Sequence, residues 1–191
     1  MRLIKTEDDF LFMTYQQLKT KGGEYYPKVT SIPKGKRITP DIDLLAIDRY
    51  TKPPGIVGIE VKLVRKSDPF KYFYQGIGEV LCYYQHGVDR ACLLLGLFNM
   101  PPNKADELEE RLRKTYQFLQ QWLLKLSYTS FMLFREDKGY ISTLVEGKEL
   151  FPVLSYEEAR HKKECLLRGE FEWGKQWLKN REKAKDRTKE Q

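Results

Sequence analysis

Three charged residues stand out within two mostly apolar runs of this sequence. Asp41 opens the run Asp-Ile-Asp-Leu-Leu-Ala-Ile, and Glu60 and Lys62 lie within the run Ile-Val-Gly-Ile-Glu-Val-Lys-Leu-Val. Ionised side chains rarely occur in such surroundings unless they are paired or bind a metal. Two carboxylates that approach each other can share Mg²⁺, which needs only one or two protein carboxylates besides water and substrate phosphate. The three residues therefore predict a metal site for phosphate chemistry, with Lys62 orienting the attacking water or stabilising charge on the phosphate.

Two neighbouring strands are predicted to carry these residues. Both runs are rich in β-branched residues, and a turn-forming segment, Arg49–Gly55, lies between them. Side chains alternate between the two faces of a strand. One face of the second strand is apolar and should pack against a helix; it carries Val57, Ile59, Val61 and Leu63. The opposite face carries Gly58, Glu60 and Lys62, so the two charges share a side.

Each of these residues also has a simpler interpretation. Glu60 and Lys62 could form an ion pair on a solvated sheet face, although the apolar character of the strand argues against water there. Asp41 follows Pro40, and aspartate is common at turns and strand starts. Asp43 has the same strand parity as Asp41, so it is either a second ligand or a supporting or solvated carboxylate.

The order Pro40-Asp41, a gap and Glu60-Val61-Lys62 resembles the PD-(D/E)xK nuclease superfamily. The resemblance covers roughly Glu7 to Asn99. The short motif falls on two consecutive predicted strands, as it does in that family. The resemblance implies a restriction-endonuclease-like fold and a divalent-metal-dependent endonuclease that hydrolyses DNA phosphodiester bonds.

The resemblance also implies a set of site residues. Asp41, Glu60 and the carbonyl of Val61 would hold Mg²⁺ or Mn²⁺, and Lys62 would position or activate the attacking water.

The small size and basic character fit several enzymes of this kind: a branched-DNA resolvase that acts as a symmetric homodimer, a monomeric nickase or an end-processing nuclease.

Helices before and after the two strands are expected to complete the site. In the resembled family an acidic residue of the first helix often joins it, which implies Glu7, although the helix dipole equally favours acidic residues in a first turn. Glu24, at the exit from that helix, is the alternative. Gln75 matches the position where many relatives carry a helix glutamine, and its simpler interpretation is a solvated polar face. Tyr83 or Tyr84 follows, at a spacing that does not match the family's glutamine–tyrosine signature.

The periodicity of apolar residues predicts an α/β protein: a mixed β-sheet flanked by helices, with an αβββαβ core and a C-terminal helical and hairpin extension. The core comprises helix 7–19, strand 25–32, the two strands above, helix 68–86 and strand 90–98. The extension comprises helix 105–126, a hairpin of strands 128–135 and 140–145, and helix 155–168. We predict one nuclease-like domain over 1–174, with its core at 6–99 and its extension at 100–174, and a basic, flexible tail over 175–191.

The composition favours a folded protein with an anionic partner. Hydrophobic residues make up 41% and aromatic residues 13% of the chain, and the net charge is +7 with a pI near 9.2. Such a charge favours nucleic acid over a membrane, with DNA expected and RNA left open. The basic residues expected to contact the phosphate backbone are Lys34, Lys36, Arg37, Arg65 and Lys66. The basic turn at 34–37 could equally be a solvated hairpin tip.

Cysteine usage indicates a reducing environment. Cys82, Cys92 and Cys165 lie far apart, and no cysteine or histidine has zinc-ligand spacing. Free thiols in the cytoplasm are therefore expected. Glu7, Asp8 and Asp9 follow the N-terminus almost at once with no long apolar run before them, so no signal peptide is expected. No apolar run elsewhere is long enough for a membrane-spanning helix, which also favours a cytoplasmic protein.

Two other functions fit parts of the sequence. One is a non-catalytic nucleic-acid-binding module built on a nuclease-like fold. The other is a protein-interaction domain whose hairpin and long helix form a dimer interface. The joint presence of Asp41, Glu60 and Lys62 argues against the binding module, since binding alone does not require all three.

Overall fold

A computed structural model describes residues 4–64, 68–123, 126, 128–147 and 157–187 of the chain. The elements within these residues are α1 (Glu7–Lys19), β1 (Glu24–Ser31), β2 (Arg37–Asp48), β3 (Gly55–Val64), α2 (Pro69–Tyr83), β4 (Arg90–Leu97), α3 (Pro102–Trp122), β5 (Ser130–Arg135), β6 (Tyr140–Val145), α4 (Glu157–Arg168), β7 (Glu172–Trp173) and α5 (Lys175–Arg187). A short 3₁₀ turn, Tyr84–His86, follows α2. The predicted phosphate contacts Arg65 and Lys66 lie outside the described residues.

In the described part of the chain, seven strands form one mixed sheet in the order β6-β5-β4-β3-β2-β1-β7. β4 lies parallel to β3 and β5, and the other neighbours are antiparallel. Parallel neighbours need a crossover connection, and α2 and α3 provide the two that this sheet requires. The predicted α/β class, the mixed sheet with flanking helices and the order of the first six elements are confirmed.

The two faces of β3 meet different surroundings. Its apolar face packs against α1, as the alternation predicted, and the cluster there contains Phe10, Leu11, Phe12, Tyr15, Ile59, Val61 and Leu63. Burying one such aliphatic side chain contributes about 1.5–3 kcal/mol. This face therefore anchors β3 in the sheet, while Glu60 and Lys62 on the opposite face turn towards α2.

Two glycines let α2 approach the sheet closely. A Cβ atom at Gly58 of β3 would lie 2.8 Å from the ring of Tyr83, and a Cβ atom at Gly76 of α2 would collide with the side chain of Leu93 on β4. Because both positions lack a side chain, α2 lies directly over β3 and β4. One stripe of this helix can therefore reach the charged face of β3.

Lys175–Arg187 forms the helix α5, where the sequence predicts a flexible tail. Arg181 pairs with Asp9 at 2.6 Å and with Asp8 at 3.2 Å. The indole N–H of Trp177 donates to Asp8 at 3.1 Å. The amino-acid composition of the tail does not indicate this contact between α5 and α1, because the basic residues of the tail meet the acidic first turn of α1 only in the folded chain.

The extension adds β5 and β6 to one edge of the sheet and β7 to the opposite edge, beside β1. The predicted hairpin is confirmed as β5 and β6, and the predicted long helix is confirmed as α3, which begins at Pro102. Residues 155 and 156, the predicted start of the last helix of the extension, lie outside the described residues. Among the helices that the structure describes, none has both the length and the apolar character that crossing a bilayer requires.

Gly76→Ala should lower the free energy of unfolding by about 1–2 kcal/mol, because the added methyl group overpacks the contact with Leu93 by more than the gain in helix propensity. Gly78→Ala is the matched control on the same helix, since a Cβ atom there meets nothing within 4 Å. The control should gain up to about 1 kcal/mol. Urea denaturation measures both, and equal stability of the two variants would contradict the close approach of α2 to β4.

Candidate active site

β2 and β3 separate in the middle of the sheet. Their antiparallel ladder ends at the pair Leu44 and Ile59, although both strands continue, β2 beside β1 and β3 beside β4. Continuing the register by one position puts Asp43 opposite Glu60, where the strands part. We call this region the strand fork; it consists of Asp41–Asp43 and Glu60–Lys62.

Side-chain groups bridge the strand fork in place of ladder hydrogen bonds. A carboxylate oxygen of Asp43 accepts the N–H of Val61 at 3.0 Å, and the N–H of Asp43 donates to the hydroxyl oxygen of Tyr83 at 3.2 Å. The same hydroxyl lies 3.1 Å from the carbonyl oxygen of Asp41 and within hydrogen-bond contact of the Glu60 carboxylate. Main-chain groups that leave a ladder need such partners when they are buried.

Beside the strand fork, polar side chains form a continuous row from β3 to α2, which is buried at Glu60 and Lys62 and more exposed at Glu79 and Gln75. The Nζ atom of Lys62 lies 2.5 Å from Oε1 of Glu60 and 2.7 Å from Oε2 of Glu79. Gln75 donates from Nε2 to Oε1 of Glu79 at 2.9 Å. Glu60 is 1% exposed and Lys62 is 6% exposed. Charges buried this deeply are tolerated only when they are paired, so each member depends on its neighbour.

Burial shapes the proton affinities of this group. It raises the pKa of Asp43 to about 6, against the lowering effects of a main-chain hydrogen bond and of the charge on Lys62. It also raises the pKa of Glu60, and the charge of Asp43 adds to the effect. Burial opposes ionisation of Glu79 as well, but hydrogen bonds to its neighbours lower the pKa of that residue to about 2. Two carboxyl groups, Glu60 and Glu79, contact the one ammonium group, and Asp43 is influenced by its charge without forming an ion pair with it.

The structure brings Glu60, Lys62 and Gln75 together, as the sequence predicts, but it puts Asp43 rather than Asp41 beside them. Asp41 joins the strand fork through its main-chain carbonyl. Within the described residues, the carboxylate of Asp41 makes no hydrogen bond or ion pair. The reason is the register of the hairpin, which puts Asp43 opposite Glu60 and leaves Asp41 two positions further along. Asp43 therefore takes the position that was expected of Asp41.

The remaining predicted residues differ in how they relate to the strand fork. Glu7 lies in the first turn of α1, near enough for its charge to raise the pKa of Asp43. Glu24, the alternative to Glu7, pairs with Arg49 at 2.7 Å at the other end of β2, away from the fork. Val61 contributes its N–H, and the metal contact of its carbonyl stays a prediction. Lys34 and Lys36, in the connection into β2, and Arg37, the first residue of β2, are exposed cations.

Two further residues of α2 join the site: Glu79, which was not predicted as part of it, and Tyr83, which the sequence left undecided with Tyr84. Glu79 and Tyr83 follow Gln75 at intervals of four residues, so the three share one stripe of the helix. That spacing was the available signal. The spacing did not single out Tyr83, because Tyr83 and Tyr84 are adjacent aromatic residues that both suit the buried side of the helix, and both are buried.

The donor set fits a small divalent cation. Asp43 and Glu60 provide two oxygen-bearing groups across the strand fork, and Mg²⁺ needs only one or two protein carboxylates. Their raised pKa values mark carboxylates that have lost water without gaining full compensation, which a cation would supply. The described residues contain no cluster of three or more histidine, cysteine or acidic side chains arranged to hold a metal ion. A site here would therefore leave most of the coordination shell to water and substrate.

Asp43→Asn should flatten the pH dependence of stability between about pH 4 and pH 6. The folded-state pKa of Asp43, about 6, lies above its ordinary value of 3.8, so the folded protein binds this proton more tightly and loses stability as pH rises through the interval. Between about pH 4 and pH 6, the free energy of unfolding of the wild type should fall by about 2–3 kcal/mol relative to that of the variant. Above about pH 6 the difference between the two should stay constant. Urea denaturation at stepped pH measures the difference, with Asp41→Asn as the control. A relative stability that rises with pH would contradict the raised pKa.

Comparisons with protein-family models, with curated proteins and with solved structures find no match for this chain. The site accordingly rests on three features of the molecule itself. These are the separation of β2 from β3, the opposition of Asp43 and Glu60, and the polar row that holds Lys62.

Proposed function

We propose that this protein is a divalent-metal-dependent nuclease that hydrolyses phosphodiester bonds of DNA. The observation that carries the proposal is the opposition of Asp43 and Glu60 across the strand fork, with the ammonium group of Lys62 beside Glu60. Two carboxylates and a lysine in this arrangement suit hydrolysis of a charged ester, because the carboxylates hold a cation and the lysine faces the developing negative charge.

The order of elements supports a restriction-endonuclease-like fold of the PD-(D/E)xK superfamily. A helix precedes three antiparallel strands, and a second helix then leads to a strand parallel to the third. The resemblance read from the sequence implies this order. The acidic residues and the lysine lie on the second and third strands, where the superfamily keeps its motif.

The residues of the chain divide the work as follows. Asp43 and Glu60 would hold Mg²⁺ or Mn²⁺, which would lower the pKa of water and neutralise charge on the scissile phosphate. Lys62 orients the attacking water or stabilises the charge that builds on the phosphate. Glu79 gives the ammonium group a second partner at 2.7 Å, so Lys62 stays charged and close to the strand fork. Gln75 steadies Glu79, which makes both of them positioning residues.

The electrostatics of the chain support a nucleic-acid substrate. The net charge of +7 attracts a polyanion, and exposed cations lie at the start of β2, the strand that carries Asp43: Lys34 and Lys36 precede it and Arg37 opens it. We propose DNA as the substrate and leave RNA open. A symmetric homodimer that cuts two strands together and a monomer that nicks one strand are both consistent with the proposal.

Asp43→Asn should reduce cleavage of labelled DNA in Mg²⁺ by roughly a hundredfold or more, as should Glu60→Gln, because each removes a charge that the reaction uses. Asp41→Asn is the matched control, since it makes the same change two positions along the same strand. It should retain most of the activity. Rates over a panel of single-stranded, duplex and branched DNA measure the effect. Absence of cleavage of every substrate by the wild type, or an intact rate in Asp43→Asn, would contradict the proposal.

A second candidate is a nucleic-acid-binding module that does not cleave. One observation favours it: both oxygen atoms of Glu60 already have partners, Lys62 and Tyr83. A cation would have to compete with these contacts, whereas a binding module would keep them as they are.

Calorimetric titration with Mn²⁺ separates the two candidates. A nuclease should bind Mn²⁺, and Asp43→Asn should weaken that binding by roughly 10-fold or more, whereas Asp41→Asn should change it little. A module should bind no Mn²⁺ at the strand fork, so its titration should be the same for the wild type and for Asp43→Asn. That second result would favour the module.

A further inference from the structure

Tyr83 has more contacts at the strand fork than its single hydroxyl proton can serve at once. The hydroxyl accepts the N–H of Asp43 and lies within reach of two acceptors, the carbonyl of Asp41 at 3.1 Å and the carboxylate of Glu60. A phenolic hydroxyl donates one proton and accepts on its lone pairs. It can therefore donate to either acceptor while keeping the bond from Asp43.

Two of these partners are main-chain groups of β2 at the point where the ladder to β3 has ended. A buried N–H and a buried carbonyl both need a partner. Ladder hydrogen bonds between β2 and β3 would provide such partners, but the two strands would then have to come together. The side chain of Asp43 occupies that space, where it accepts the N–H of Val61. The hydroxyl of Tyr83 satisfies Asp41 and Asp43 instead, so β2 stays bonded while it stands apart from β3.

The fold provides space for this tyrosine. Its side chain is fully buried. The ring lies against Gly58 of β3, where a Cβ atom would come within 2.8 Å of it and within 3.2 Å of Val88. Any larger residue at position 58 would displace the ring and with it the hydroxyl. Gly58 and Tyr83 therefore form one structural unit, in which the missing side chain of one admits the ring of the other.

We propose that Tyr83 is a positioning residue: its hydroxyl holds β2 away from β3, and this keeps the carboxylates of Asp43 and Glu60 facing each other. The inference rests on the proposed function for its catalytic consequence. Its structural part concerns the strand fork alone and is testable without any reaction. Tyr83 itself does not touch the substrate phosphate in this proposal; it acts through Asp43 and Glu60.

Tyr83→Phe tests the proposal, because it removes the hydroxyl and keeps the ring. Tyr84→Phe is the matched control, since it makes the same change on the next residue, which is also buried and whose hydroxyl lies 2.9 Å from Oγ1 of Thr129 instead. Amide hydrogen exchange of the metal-free protein is the first measurement. The amide of Asp43 should exchange about tenfold faster or more in Tyr83→Phe, and should be unchanged in Tyr84→Phe after correction for global stability.

Cleavage kinetics provide the second measurement. Tyr83→Phe should lower kcat about tenfold or more while KM for DNA stays the same, because the carboxylates lose their mutual orientation but the surface that meets DNA is unaltered. Tyr84→Phe should change neither constant. Gly58→Ala is a second variant that displaces the ring, and it should reproduce both the faster exchange of Asp43 and the lower kcat.

Two results would overturn the proposal. One is equal exchange of Asp43 in Tyr83→Phe and Tyr84→Phe, and the other is a wild-type kcat in Tyr83→Phe. A wild type that cleaves no DNA would instead refute the proposed nuclease function. In that case exchange at Asp43 alone decides whether the hydroxyl of Tyr83 holds the strand fork.

Discussion

The ammonium group of Lys62, held between the carboxylates of Glu60 and Glu79, is the interaction on which the rest of the site depends. Removing a carboxylate from water costs several kcal/mol, and a partner at hydrogen-bond distance offsets that cost. Glu60 is almost fully buried and relies on Lys62, while Lys62 relies on Glu79 across the gap to α2. Asp43 and Glu60 both keep a raised pKa, so the one lysine does not fully offset the cost of ionising these buried carboxyl groups. This incomplete compensation, at a place where two strands part, is what makes the region a candidate for binding a cation.

The fold keeps this charged group in place by giving β3 two different faces. The apolar face packs on α1 and holds the strand in the sheet, which leaves the other face free to carry charge. α2 closes over that face because Gly58 and Gly76 leave room for it. The same closeness brings Glu79 and Tyr83 to the strand fork, so one helix both compensates Lys62 and satisfies the main chain of β2.

The C-terminal part of the chain contributes to the site through α1. Asp8 and Asp9 of α1 are engaged by Arg181 of α5, so the acidic first turn of α1 is fixed against the C-terminal helix. Glu7, in the same turn, acts on Asp43 through its charge. The basic composition of the C-terminal segment is therefore typical of a flexible tail, although the segment forms a helix that pairs with the acidic first turn of α1. The ion pairs form only once the sheet has brought the two helices together.

The sequence alone determined the strands of the hairpin, the parity that puts Glu60 and Lys62 on one face, and the helices on either side, because these follow from local periodicity. It also identified Gln75, through the position at which the resembled superfamily carries a helix glutamine. Only the tertiary structure decided which aspartate faces Glu60, because the register depends on how the connection between β2 and β3 is built. Only the tertiary structure revealed Glu79 as a member of the site and decided between Tyr83 and Tyr84, because their roles arise from the distance between a helix and a sheet. Periodicity determines which side of an element a residue occupies; contact across elements depends on packing that no local pattern records.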